Sequence, residues 1–278
     1  VRPGKPGAEP ELVHNIVGSL PYVPTSVVHG DLIFLWYDRG VVTCLDAPSG
    51  EIRWRERIGG DYFGSPIRVG DRLYCVSREG EMVVLAASEE FQELARFSLE
   101  EPSYATPVLI TIHGQEQLVA FMATEVVGVD PRTGAPLWRY PIRNQYPQNI
   151  CAPTQIDEDL VFVSTTEAGS RGLRVVRDEG FRVEEAWSTR RVQCFYGQFA
   201  VIGDTIYGTS GVQSGPRMCA LHAGTGRNPG GSPERGASHG LSDGRQRYWR
   251  VRSDNAQLQH RYHRSNCEHR QRTARPSL

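Results

Sequence analysis

The sequence predicts an all-β fold, a β-propeller of four-stranded blades, on three observations. First, one long pattern recurs five times: a Pro or small-residue start, a Gly-Asp turn, an apolar run holding an aromatic, a Gly and a second apolar run. Second, aligned on that aromatic, the copies stand at Phe34, Tyr74, Phe121, Phe162 and Tyr207, spaced by 40, 47, 41 and 45 residues, which is the period of a blade. Third, the motif Asp-x-x-Ser/Thr-Gly-x-x-x-Trp stands at Asp46, Ser49, Gly50 and Trp54 and again at Asp130, Thr133, Gly134 and Trp138. Helical solenoids share such periods. They are excluded because the apolar runs are short, rich in β-branched and aromatic residues, and bounded by turn formers.

The first blade begins at Pro24-Thr25-Ser26, turns at Gly30-Asp31, runs through Phe34, turns again at Asp38-Arg39-Gly40 and ends on 51–58 with Trp54. The second, from Gly64-Ser65-Pro66 with Gly70-Asp71, lacks the tryptophan around Phe91–Leu99 and reads as a degenerate copy. The third carries Ala105-Thr106-Pro107 and the intact motif; the fourth carries Ala152-Pro153, a looser turn and Trp187 after an insertion. The fifth runs from Tyr196-Gly197 through Gly203-Asp204 and Tyr207 to His222, Thr225 and Gly226, where the expected Trp is replaced by Gly230. Gly-Asp at the first turn fits a tight hairpin, with the Asp side chain bonding its own backbone. The Trp positions, Trp187 included, read as rings wedged between neighbouring sheets, and the Asp, Ser/Thr and Gly before them as the turn that aims each ring.

Ile16-Val-Gly-Ser-Leu-Pro-Tyr-Val-Pro-Thr25 parallels Phe97-Ser-Leu-Glu-Glu-Pro-Ser-Tyr-Ala-Thr106. Residues near 12–18 therefore read as the outer strand of a preceding blade, after a flexible segment 1–11. Five blades of an originally larger ring are expected over 12–226. The alternative is a closed five-bladed ring, in which the N-terminal strand completes the fifth blade and hides its edge.

Composition divides the chain. Residues 227–278 hold eleven Arg against Glu234, Asp243, Asp254 and Glu268, a net of +7 that leaves −8 for residues 1–226 out of the total of −1. With Leu241, Val251, Leu258 and Leu278 as its aliphatic residues, this tail cannot bury a core and is expected to be disordered, out-of-frame or replaced. No run reaches the length of a membrane span. The six cysteines show neither CxxC spacing nor an adjacent pair, and Cys44, Cys75 and Cys219, inside apolar runs, read as buried thiols.

The pattern at 44–54 and 128–138 resembles the tryptophan-docking repeat of the pyrroloquinoline quinone (PQQ)-like β-propellers, over about residues 12–226. That family contains quinoprotein alcohol dehydrogenases and non-catalytic relatives such as the propeller lipoprotein of outer-membrane barrel assembly. The resemblance implies the fold; function must be argued from the site. Quinoprotein chemistry needs a slot for the quinone, an oxygen-ligated Ca²⁺ and an Asp base, and the resemblance adds an adjacent Cys-Cys pair that is missing here. Asp157-Glu158-Asp159 falls on a first turn and reads as a solvated hairpin. The segment from Asn144 to Asn149 reads as a connector, with a ring-face role as the rival. His29 and His113 lie beside turns with no nucleophile at recognisable spacing, and His260, His263, Cys267 and His269 match no standard zinc spacing.

The expectation is thus a non-enzymatic binding or scaffold module, with no catalytic, cofactor or metal residues. It would take a protein partner or ligand on a propeller face and, by resemblance, reside in the periplasm or cell envelope. The alternatives are a fragment of a PQQ- and calcium-dependent dehydrogenase, or nonspecific nucleic-acid binding through the basic tail.

Overall fold

The computed structural model describes residues 12–144, 146, 148–211 and 217–229, and among the described residues it has nineteen strands and no helix. The chain divides into Val1–Gly231 and Ser232–Leu278, and every described residue lies in the first part. The expectations for residues 1–11, for the tail from 230 onward with its His/Cys cluster, and for Gly230 itself fall outside the described residues.

The strands form five antiparallel sheets in chain order. The first holds β1 (Val27–His29), β2 (Leu32–Tyr37), β3 (Val41–Asp46) and β4 (Ile52–Arg57); the second β5 (Ile67–Val69), β6 (Arg72–Val76), β7 (Glu81–Ala86) and β8 (Glu93–Ser98). The third holds β9 (Val108–Ile112), β10 (Gln115–Phe121), β11 (Glu125–Val129) and β12 (Pro136–Pro141). The fourth holds β13 (Thr154–Gln155), β14 (Leu160–Ser164), β15 (Ser170–Arg177) and β16 (Phe181–Thr189), and the fifth β17 (Ala200–Ile202), β18 (Thr205–Ser210) and β19 (Arg217–His222). These are the blades, each pairing only with its sequence neighbours, as short hairpin connections dictate. The insertion expected in the fourth blade is a lengthened β15–β16 hairpin.

Burial falls from the middle strands outward. The central β3 and β7 are buried on both faces and so read as continuous apolar runs, whereas in β4 Trp54 is buried among exposed neighbours. Four apolar cores lie between consecutive sheets. One joins the first and second blades through Phe34, Trp36, Trp54, Leu73 and Leu85, and the others follow in order to the pairing of the fourth and fifth around Phe162, Trp187, Phe199 and Leu221. Among the described residues no core cluster joins the fifth sheet to the first. Stability of such an array is close to a sum of blade and interface contributions.

Each four-stranded sheet carries a bulge at the same point, between Cys44/Leu45, Val84/Leu85, Gly128/Val129 and Gly172/Leu173. The residues across from it are Trp54, Ala95, Trp138 and Trp187. The extra residue sharpens the local twist and turns the tryptophan toward its neighbour.

This register corrects the aromatic alignment of the sequence. Phe34, Tyr74 and Phe162 pair with the bulge residues Cys44, Val84 and Gly172, but in the third blade Val119 pairs with Gly128 and Phe121 lies two residues further on. The cause is a β9–β10 hairpin longer than β1–β2: its Ile112↔Gln115 closure leaves two more residues on each strand before the equivalent pair. A second correction concerns the first turns. The bond that repeats there is accepted by the Asp main-chain carbonyl: Ala47 N donates to Asp31 O (2.7 Å), Ala87 N to Asp71 O (2.8 Å) and Ala223 N to Asp204 O (2.7 Å), tying first turn to third.

Candidate binding face

The motif residues build one rim of the propeller. Asp46 Oδ1 accepts the Ser49 amide (2.8 Å) and hydroxyl (2.7 Å), while Gly50 N donates to Asp46 O (2.8 Å). Those two bonds and Arg53 hold the Asp46 carboxyl down at about 2. The copy at Asp130 repeats the turn, with Oδ1 accepting the amides of Arg132 (2.7 Å) and Thr133 (3.1 Å) and Gly134 N donating to Asp130 O (2.9 Å). In the fifth blade His222 stands for Asp, and Gly226 N donates to His222 O at 2.8 Å. The motif Gly has positive φ in all three, +75°, +73° and +65°. A Cβ there would also strike a ring supplied from the preceding element: His14 at Gly50, Phe97 at Gly134 and Trp187 at Gly226, each under 3 Å. Both demands select glycine.

Trp187 shows the full docking interaction. Its ring covers Gly226, and its Nε1 donates to Ala223 O at 2.7 Å. Trp54 donates to Ser88 O (3.1 Å) and meets Phe91 edge-on at 5.3 Å, so it too crosses to the next blade. Trp138 differs. Lying over Gly128, it donates to Gln117 Oε1 of its own blade (2.6 Å), because the fourth blade has no Asp-x-x-Thr-Gly turn to receive it.

The degenerate second blade divides the missing tryptophan's work between two residues. Phe97 covers Gly134, and the buried Tyr74 hydroxyl donates to Pro131 O at 3.0 Å, the position equivalent to Ala223. At the N-terminal end His14 makes both contacts alone: its ring covers Gly50 and its Nε2 lies 3.0 Å from Ala47 O, again the residue after the motif's first. His14 falls at the tryptophan position in the parallel between 16–25 and 97–106. It thus caps the first blade as a preceding blade's outer strand would, although residues 12–18 form no strand. Sequence reading missed it because it sought tryptophan; the spacing of twelve residues to Ser26, shared by Trp54 and Pro66, was the available signal.

Antiparallel hairpins place the second turns and the inter-blade connections together on the opposite face. They are knitted there by main-chain bonds: Tyr62 N to Asp38 O (2.8 Å), Arg78 N to Asp61 O (2.6 Å), Ala123 N to Pro102 O (2.7 Å) and Gly211 N to Gln193 O (2.8 Å). The segment before β1 and three of the four connections present aromatic side chains to solvent: Tyr22 is 92% exposed, Phe63 37%, Tyr146 65% and Tyr196 68%. Phe63 stacks on the half-buried Tyr104 at 5.2 Å, with the Arg78 guanidinium 5.9 Å from the Tyr104 ring centre. Rigid aromatic area beside Arg, on loops fixed by a scaffold, is the composition of protein-binding surfaces. In the second and third blades the signal was legible as an aromatic directly before the small-residue start, Phe63 before Gly64 and Tyr104 before Ala105.

The remaining candidate residues lie in hairpins, a connection and the core. Asn149 is buried, and its amide donates to Met122 O (2.7 Å) and Ala123 O (3.2 Å) while its Oδ1 accepts from Asn144. It braces the 142–153 connection. Asp159 pairs with Arg174, and Asp157 Oδ1 accepts the Glu158 amide, so the acidic cluster is a closed hairpin. It borders a shallow groove with His113 and Gln155, whose side chains contact Val175 O (2.8 Å) and Thr111 O (2.8 Å). His29 is half-buried, 3.6 Å from Asp71. Cys44 and Cys75 are fully buried and Cys219 half-buried; burial pushes the Cys44 and Cys219 thiols up to about 11. Among the described residues no three His, Cys, Asp or Glu side chains are grouped to hold a metal, and none belongs to a helix long and apolar enough to cross a membrane.

Comparison with known proteins follows the same lines. The structure of BamB from Moraxella catarrhalis is similar at a TM-score of 0.58 and 16% identity, covering 78% of this chain and 66% of that one. The computationally designed Ika8 protein (0.57, 12% identity, 76% and 61% covered) and the Cps50 (Swd1) β-propeller domain of Myceliophteria thermophila (0.53, 11%, 72% and 69%) share the architecture. The chain thus spans less than two thirds of the first two. No curated protein matches it. Residues 15–228, most of the chain, match the profile of a PQQ-like repeat family described as outer membrane protein assembly factor BamB, and the chain belongs to that family.

Proposed function

We propose that this chain is a non-enzymatic binding module that holds a protein partner on its aromatic loop face, in the bacterial cell envelope. The exposed aromatics before β1 and on the connections 58–66, 142–153 and 190–199 carry the reading. The family's description as an outer-membrane assembly factor supports both the protein nature of the partner and the compartment. Neither PQQ nor calcium has a part in this function. The docking rim spends its Asp, Ser/Thr and Trp on packing, which leaves the loop face to do the binding.

The test places a photo-crosslinking residue at Tyr146 or Tyr196, and at Val28 or Ile202 as controls, in bacterial cells. The expected result is one discrete protein adduct from the loop-face positions and none from the controls. Equal labelling at all four would remove the loop face from consideration. Alcohol-dependent dye reduction on adding PQQ and Ca²⁺ to the purified protein would instead establish the dehydrogenase.

A further inference from the structure

We propose that Cys151 and Cys194 form a disulfide that fastens the connection before β13 to the connection before β17. The two thiols meet in the core between the fourth and fifth blades, which also contains Phe162, Val192 and Phe199. Cys151 Sγ donates to Gly197 O (3.1 Å) and Cys194 Sγ to Tyr196 O (3.4 Å), consecutive carbonyls of one loop. A disulfide requires two side chains already aimed at one point, and this packing supplies that aim.

The pair is also chemically unequal. The neighbouring Cys194 and burial raise the Cys151 thiol above the usual range, and the neighbouring Cys151 lowers that of Cys194. The first attack is assigned to Cys194, on the loop that carries the exposed Tyr196. Its thiolate attacks a small disulfide, expelling one thiolate that takes up a proton and leaving a mixed disulfide on Cys194. Cys151 gives its proton to solvent and attacks the Cys194 sulfur, releasing the second thiol. Two protein thiols and one external disulfide become one protein disulfide and two external thiols. Loop 190–199 contains no strand apart from a bridge at Cys194, and its Tyr196 is exposed.

Tyr146 and Tyr196 ride on the two fastened connections. For binding, the consequence rests on the function proposed above: oxidation fixes the spacing of two partner-contacting rings before the partner arrives. The disulfide itself does not depend on that reading.

The full chain is incubated with glutathione disulfide, alkylated under denaturing conditions and mapped by peptide mass spectrometry. The expected product is a Cys151–Cys194 linked peptide, two hydrogens lighter than its separate parts, with a thermal midpoint higher by about 5–10 °C that dithiothreitol reverses. Cys194→Ala and Cys151→Ala abolish the rise, and Cys44→Ala keeps it. Recovery of both residues fully alkylated, a lasting glutathione adduct on Cys194, or a link from Cys194 to Cys219 or Cys267 would each overturn the proposal.

Discussion

Asp46 bears its charge for the turn rather than for a ligand. Its carboxyl sits at about 2 against an ordinary 3.8, so the folded state favours the charged form. The resulting stability is complete above the unfolded value and is lost as pH falls from about 4 toward 2. Asp46→Asn should lower the thermal midpoint at pH 7 and converge with the wild type near pH 2; a constant difference across that range would assign the loss to shape instead. Gly134→Ala tests the close approach. A methyl 2.5 Å from the Phe97 ring, on a residue at φ +73°, should cost about 1–3 kcal/mol in denaturant unfolding. The same change at Gly180, where a Cβ meets nothing within 4 Å, should be nearly neutral.

Blades differ in how each is fastened to the next, and their stabilities should follow. Trp187→Ala removes a buried ring and leaves Ala223 O without its donor, with an expected loss of about 3–5 kcal/mol. In the second blade the functions are separable: Tyr74→Phe should cost about 1 kcal/mol for the hydrogen bond alone, and Phe97→Ala more, through lost packing on Gly134. His14→Ala should destabilise the first blade selectively, read as faster amide exchange in β3 and β4 than in β18. Equal exchange throughout would show that His14 is not the cap of that blade. The elements themselves were legible in the sequence because a two-residue alternation and Gly-bounded runs specify strands locally. Register was less so: Phe121 looked equivalent to Phe34, and only pairing across β9–β10 shows that Val119 is. The substitutes were illegible for a related reason, since Tyr74, Phe97 and His14 share with tryptophan a contact and not a residue type.

At the scale of the molecule, the recurring period established a propeller, and the acidic body and basic tail marked a change in character near residue 226. The loop face was harder to read. Its aromatics come from segments far apart in sequence, and only stacking the blades brings them to one side. Limited proteolysis with intact-mass readout should leave a resistant core that begins near His14 and ends close to Gly226, the last residue of the fifth docking turn. A core truncated at the fourth blade would mean that β17–β19 needs a further strand to hold.

The two faces also differ in how freely they can change. Each docking turn is bound to its neighbour through a carbonyl, a glycine and a ring, so an insertion there must be matched in the adjoining blade. The connections opposite, 58–66, 99–107, 142–153 and 190–199, already differ in length while the bulges opposite Trp54, Trp138 and Trp187 stay in place. Selection can therefore rewrite one side of the molecule residue by residue while folding is policed on the other.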